Sequence, residues 1–163
     1  MSRQNLYVGS AGQMAVMAEF LLRGWNAALP EIDLGEDLFV VNDETGDLTR
    51  VQVKTATARP QRGGYSAQFN ISLRQIHSPR NPDLVYIFAV RSDPGWEPFV
   101  VIGRSALRRE QEVHGVGSVS GDSVVLRFVA AGESLTCSGR DFRAYRGDWS
   151  RWPVLSIALR NSS

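Results

Sequence analysis

Cysteine and histidine are nearly missing from this chain: Cys137 is the only thiol, and His77 and His114 are the only imidazoles in 163 residues. A single thiol rules out an intramolecular disulfide and makes a reducing compartment the natural home. One Cys with two distant His leaves no ligand spacing for structural zinc. Long apolar runs are absent as well. Nothing approaches the ~20 apolar residues of a membrane span, and the stretch MSRQNLYVGSAGQ has no continuous apolar segment of a secretory leader. A cytoplasmic protein without a membrane segment is expected. There is no glycine-rich phosphate loop and no serine set in a hydrolase elbow, and Gly115-x-Gly117 alone is too little for a dinucleotide site. A formal net charge of +1 does not by itself mark a nucleic-acid binder.

What is present is ordinary globular composition, 43% hydrophobic and 21% charged, enough for one domain over residues 1–163 with a sizeable core. The most informative stretch runs from Pro30 to Thr55. Asp37 opens the apolar run Leu38 to Val41, the polar run Asn42 to Asp47 turns the chain, and it returns through Leu48 to Lys54, so the segment reads as a β-hairpin. Antiparallel pairing sets the start of the first strand beside the end of the second. Residues two apart on a strand share a face, so Gln52 and Lys54 can point together towards Asp37. A carboxylate with an amide or backbone oxygen suits a hard divalent cation such as Mg²⁺. A lysine beside it can orient or help deprotonate a metal-bound water and offset charge growing on a phosphate.

Charge is unevenly spread around this hairpin. Between Asp47 and Asp83 no acid occurs, whereas Arg50, Lys54, Arg59, Arg62, Arg74 and Arg80 all do. Such a basic field is what a phosphate backbone requires, and Arg50, Arg59, Arg62 and Arg74 are the expected nucleic-acid contacts. Arg59 to Gly64 reads as a loop, because proline and the glycine pair punctuate any regular element.

Ahead of the hairpin, residues 10–24 read as a helix. Ser10 with Gln13 has the form of a capping box, Met14, Met17, Leu21 and Trp25 form an apolar stripe, and Gly24 suits the position just past the end. Glu19 pairs with Arg23 one turn on.

Gly35-x-Asp37, a short strand, a turn and then Gln52-Val53-Lys54, preceded by a helix ending Leu21-Leu22-Arg23-Gly24-Trp25, resembles the PD-(D/E)XK nuclease superfamily in the variant with glutamine at the second acidic place. The resemblance implies an α/β fold with a restriction-endonuclease-like core, a central mixed β-sheet flanked by helices. It also implies a metal-dependent endonuclease acting on DNA. Asp37 and Gln52 would then hold Mg²⁺ (or Mn²⁺), Lys54 would position the nucleophile, and Gln13 would line the site from the helix. Nucleases of this architecture often dimerise, which makes a homodimer the expected assembly. The sequence departs from the family at Gln13, where the superfamily usually carries a glutamate. Of the nearby acids that could compensate, alternation sets Glu36 on the face opposite Asp37, and Glu31 and Asp33 precede the strand. The alternative function is a module that kept the fold, lost catalysis, and binds nucleic acid or a protein partner.

Further along, Tyr65 to Ile71 alternates as a strand, and Ser72 caps a short helical turn with Arg74, Gln75 and His77. Leu84 to Val90 reads as a buried central strand. Asp93-Pro94-Gly95 then turns the chain into a partner strand, Trp96 to Ile102. Ser105 to Val113 reads as a helix with Arg104, Arg108 and Arg109 exposed. Val124 to Val129 reads as a strand and Asp141 to Tyr145 as a short helix. Trp149 and Trp152 close the core rather than stack on bases.

Overall fold

The computed structural model describes residues 3–32 and 34–155. In chain order they form α1 (Arg3–Leu22), β1 (Asn26–Ala28), β2 (Leu38–Val41), β3 (Leu48–Thr57), β4 (Arg59–Gln61), β5 (Gly64–Ser72) and α2 (Leu73–His77). Then come β6 (Leu84–Arg91), β7 (Val100–Gly103), α3 (Arg104–His114), β8 (Ser118–Ser120), β9 (Ser123–Ala131), β10 (Ser134–Cys137) and β11 (Arg140–Asp141). The central sheet runs β1-β2-β3-β6-β7 and is mixed: β3 pairs parallel with β6, and its other neighbours pair antiparallel. A second, antiparallel sheet, β11-β10-β9-β5-β4 with β8 beside β9, covers one of its faces.

The expected hairpin forms for local reasons. Asn42 Oδ1 accepts from the amides of Glu44 and Thr45 at 2.9 and 3.2 Å, and Gly46 takes a φ of 76°, which a residue with a Cβ resists. Alternation along β6 is lost because both of its faces are covered. Tyr86, Phe88 and Val90 pack towards the second sheet with Phe69, Leu126 and Phe128, while Val85, Ile87 and Ala89 pack towards α1.

Helix α1 differs from the sequence expectation. It starts at Arg3, so Ser10 lies inside it; no residue from Arg3 to Val8 breaks a helix, and a capping pattern cannot start one where a turn already stands. Its buried face is Gly12, Val16 and Phe20, whereas Met14 and Leu21 are exposed. Its end is as expected: Gly24 N–H bonds Leu21 O, Trp25 N–H bonds Phe20 O, and Gly24 has φ 84°, a Schellman closure in which Phe20 and Trp25 share one cluster.

Smaller differences follow from packing. Arg59–Gln61 is a strand rather than loop, an edge position that tolerates Pro60. The strand expected from Trp96 is confined to Val100–Gly103, because Pro98 cannot donate to a ladder. Asp141 to Tyr145 splits into β11 and one 3₁₀ turn, Arg143–Tyr145. Trp152 is fully buried against Phe20, as expected for a ring that closes the core.

Arg104 is not exposed. Its guanidinium grips Asp83 through Nε and Nη2 at 2.6 and 2.9 Å and donates to Ile76 O at 2.6 Å, tying the starts of α3 and β6 to the end of α2. Burial alone would raise the Asp83 carboxyl, but the Arg104 hydrogen bonds and the Leu84 and Arg80 amides outweigh it and hold it below its ordinary 3.8. A depressed native value means stability that is complete above about pH 4 and is lost as pH falls through it. Asp83→Asn should flatten the acid limb of stability, checked by urea unfolding at about pH 6 and about pH 3.

Candidate active site

Antiparallel pairing of β2 with β3 begins at Leu38 opposite Val51, and Asp37 N–H still bonds Val51 O. Among the described residues, β3 has no strand partner on that side from Gln52 onward. The Asp37 side chain continues the ladder instead: its Oδ2 accepts Val53 N–H at 2.7 Å and a hydrogen bond from Gln52 Nε2. Because a residue's N–H and C=O point to the same side of an extended strand, the Val53 carbonyl also faces this open edge, 3.5 Å from Gln52 Nε2.

Gln52 is itself held from behind. Gln75 on α2 donates Nε2 to Gln52 Oε1 at 3.1 Å and to Gly35 O at 2.5 Å, and its Oε1 accepts from the Tyr86 hydroxyl at 2.9 Å. Burial raises the Tyr86 phenol, so it stays a donor. The result is a chain of donors, Tyr86 to Gln75 to Gln52 to Asp37, that fixes the Gln52 amide. Sequence reasoning placed Gln75 on a capped turn and stopped there; the Ser72 cap, accepting from Gln75 N at 3.2 Å, is what aims it. Replacing Gln75 by leucine strands the buried Gln52 oxygen and Tyr86 hydroxyl, an expected loss of about 1–3 kcal/mol. In that background Tyr86→Phe should cost little more, a non-additivity that a double-mutant cycle reads directly.

A cleft of about 1590 Å³ opens over this edge. It brings together Asp37, Gln52, Lys54 and Gln13, the four residues proposed from sequence, together with Arg59 and Arg74. Gln13 Nε2 donates to the Asp37 backbone carbonyl at 3.0 Å, so its role here is to brace the carboxylate-bearing residue from α1. Lys54 is the only lysine in the sequence, every other cationic side chain apart from histidine being arginine. An ammonium is a compact charge that can give up a proton, which a guanidinium cannot do near neutral pH. That count was readable from the sequence and strengthens the position.

Arg50 and Arg62 are not among the cleft residues. Arg50 pairs with Glu36 and stacks over Phe39, and Arg80 binds the other Glu36 oxygen at 2.9 Å. Glu36 is 2% exposed and is consumed by these two arginines rather than compensating for Gln13. Glu31 is exposed, and Asp33 lies outside the described residues. His77 sits 3.3 Å from Glu112, and His114 ends α3 in solvent.

Among the described residues no group of three or more His, Cys, Asp or Glu side chains converges as a metal site. The donors at the open edge are nonetheless hard oxygens. Asp37 Oδ2 and the Val53 carbonyl both face the positive end of the Gln52 amide, an arrangement that fits a weakly held divalent cation competing for that place.

No protein-family model matches the chain, and no curated protein matches it in sequence. The solved structure of a bacterial homing endonuclease, I-Ssp6803I, is similar over 100% of both chains, with a TM-score of 0.54 and 20% sequence identity. Likeness at that identity carries the fold: a mixed α/β core with the central mixed sheet and helices expected from the hairpin motif.

Proposed function

We propose that this protein is a metal-dependent endonuclease of the PD-(D/E)XK type that hydrolyses DNA phosphodiester bonds in the cleft between α1 and the β2–β3 hairpin. The observation that carries the reading is the convergence of Asp37, Gln52 and the only lysine, Lys54, on the unpaired edge of β3. Asp37 and the Val53 carbonyl would hold Mg²⁺ or Mn²⁺; Gln52, expected from the sequence as an oxygen ligand, turns its amide nitrogen to Asp37 and its oxygen to Gln75, and would join them only with that amide reversed. Bound there, the ion supplies Lewis-acid polarisation of the phosphate and a more acidic water. Lys54 orients the attacking water and offsets charge on the phosphoryl oxygens. Gln13 and the Tyr86–Gln75 pair keep Asp37 and Gln52 in place without touching substrate. Arg59 and Arg74 hold the phosphate backbone on the cleft walls, which makes binding salt-dependent. The fold likeness to a homing endonuclease supports DNA as the substrate.

The competing reading is a binding module without catalysis, favoured by the single carboxylate at the open edge among the described residues and by Gln13 at the helix position where the superfamily usually carries a glutamate. Incubating supercoiled and linear DNA with the protein separates the two. Nicking or linearisation that requires Mg²⁺ or Mn²⁺ supports the nuclease. Intact DNA with either ion, together with a retained gel shift and no heat of metal binding, rejects it for the module.

A further inference from the structure

The open face of the second sheet continues the wall of the cleft. Along β5 the exposed Gln68, Asn70 and Ser72 alternate with the buried Phe69 and Ile71, and all three exposed residues line the cleft that holds Asp37 and Lys54. Residues opposite one another in an antiparallel pair share a side of the sheet, so Arg127 on β9, in register with Gln68, stands on this face too. Gln68, Asn70 and Arg127 are exposed, and among the described residues their side chains have no hydrogen-bond or ion-pair partner. Strands β4, β5, β8, β9 and β10 contain neither Asp nor Glu. Asp141, on β11 at the far edge of the sheet, is held by Arg143 at 2.6 Å. Register also narrows the sheet here. β4 pairs with β5 only as far as Ser66, β8 pairs with β9 only as far as Val125, and β10 takes over from Phe128. At Gln68 and Arg127 the sheet is therefore two strands wide among the described residues, with the Ser138 amide on Arg127 O at 3.2 Å beyond it.

We infer that this β5–β9 ribbon enters the major groove of DNA held in the cleft and reads base edges there, Gln68 and Asn70 contacting adenines and Arg127 a guanine. The inference rests on the DNA reading proposed above, but not on cleavage. An antiparallel sheet commonly leaves one face to water; this one is also free of acid and forms a wall of the same cleft as the proposed site. The major groove is ~12 Å wide and admits a two-stranded ribbon. A carboxamide presents a donor beside an acceptor and matches adenine N6–H and N7, whereas a guanidinium presents two donors and matches guanine O6 and N7. Side chains two apart on a strand are ~6.8 Å apart, twice the ~3.4 Å step between bases. The two adenines should therefore stand two base steps apart. Arg127, ~5 Å across the ribbon from Gln68, should take its guanine at a step adjoining the Gln68 adenine.

Selection by binding alone tests this. The full chain is mixed, without divalent ions, with duplexes carrying a randomised core, and the bound duplexes are sequenced. The wild type should enrich two adenines separated by one base pair, with the adjoining guanine. Gln68→Ala and Asn70→Ala should each lose preference at one adenine, and Arg127→Ala at the guanine, weakening the selected duplex ~5–100-fold. For the two amides, affinity for random duplex and its salt dependence should not change, because no charge is removed. Asn70→Arg should turn its adenine preference into guanine, a gain that misfolding cannot imitate. A motif unchanged in Gln68→Ala and Asn70→Ala, an equal loss on random and selected duplexes, or no enriched motif in the wild type overturns the inference and leaves the nuclease reading standing. A motif that follows the substitutions in a chain that leaves supercoiled DNA intact with Mg²⁺ and Mn²⁺ supports the ribbon and rejects catalysis. No shift of any duplex overturns both.

Discussion

Cleavage of DNA in the presence of Mg²⁺ or Mn²⁺ is expected to fall ~10²–10³-fold or more in Lys54→Ala, the loss typical of removing one group that stabilises transition-state charge. DNA affinity should change by no more than a few fold. Lys54 is half-buried at the cleft wall and forms no salt bridge among the described residues, so its removal leaves folding nearly untouched. Lys54→Arg should not rescue, because a guanidinium neither releases a proton nor fits the space of an ammonium. Asp37→Asn should reduce cleavage at least as far while an amide oxygen can still accept Val53 N–H, so calorimetric loss of metal binding, not unfolding, is its signature. The single lysine allows a second readout. Apart from the chain's amino terminus, an amine-directed label can react only at Lys54, and the pH dependence of labelling reports its protonation. A Lys54→Ala protein that cuts at the wild-type rate removes the lysine from the mechanism altogether.

Gly12→Val is expected to cost about 2–3 kcal/mol, lowering the melting temperature by roughly 4–12 °C. A Cβ at position 12 would stand 2.2 Å from Thr55 Oγ1 and 2.8 Å from its Cγ2. Thr55 is β-branched on a paired strand, so it has little freedom to turn away. Relief must come from lifting α1 off β3, and the Gln13 bond to the Asp37 carbonyl lies one residue along. Activity should therefore fall together with stability. Thr55→Ala in the Gly12→Ala background should recover part of the loss, a coupling that identifies the contact. Gly9→Ala provides the contrast: nothing lies within 4 Å of its Cβ, and about 0.5–1 kcal/mol of stabilisation is expected from helix propensity.

These two sites differ in how far the sequence exposed them. The hairpin was legible because its turn chemistry is local and strand alternation fixes which side chains share a face; Asp37 and Gln52 meet as expected. Leu84 to Val90 was legible because an unbroken apolar run of that length needs cover on both sides. The seating of α1 was not, since a helix apolar on two faces does not say which one meets the sheet, and a glycine at the contact leaves no hydrophobic signal. Arg50 and Arg104 were misplaced for a related reason. Each looks like a solvated cation until Glu36 or Asp83, distant in sequence, arrives to pair with it. Gln75 depended on how a five-residue helix sits against the hairpin, which only the packed structure decides.

The parallel pairing of β3 with β6 also bears on the order in which the chain folds. The β2–β3 hairpin closes over a short turn, so Asp37 and Gln52 can meet early, on the timescale of hairpin formation. Arg50 finds Leu84 only after β4, β5 and α2 have been looped out between them, and β5 is itself tied up with the more distant β9. Such non-local closures are slow, because loop entropy is lost before any contact compensates it. Gln75 and Tyr86 thus reach Gln52 late. The carboxylate–amide pair forms as a local event, and its orientation is set by the last and least local step of folding.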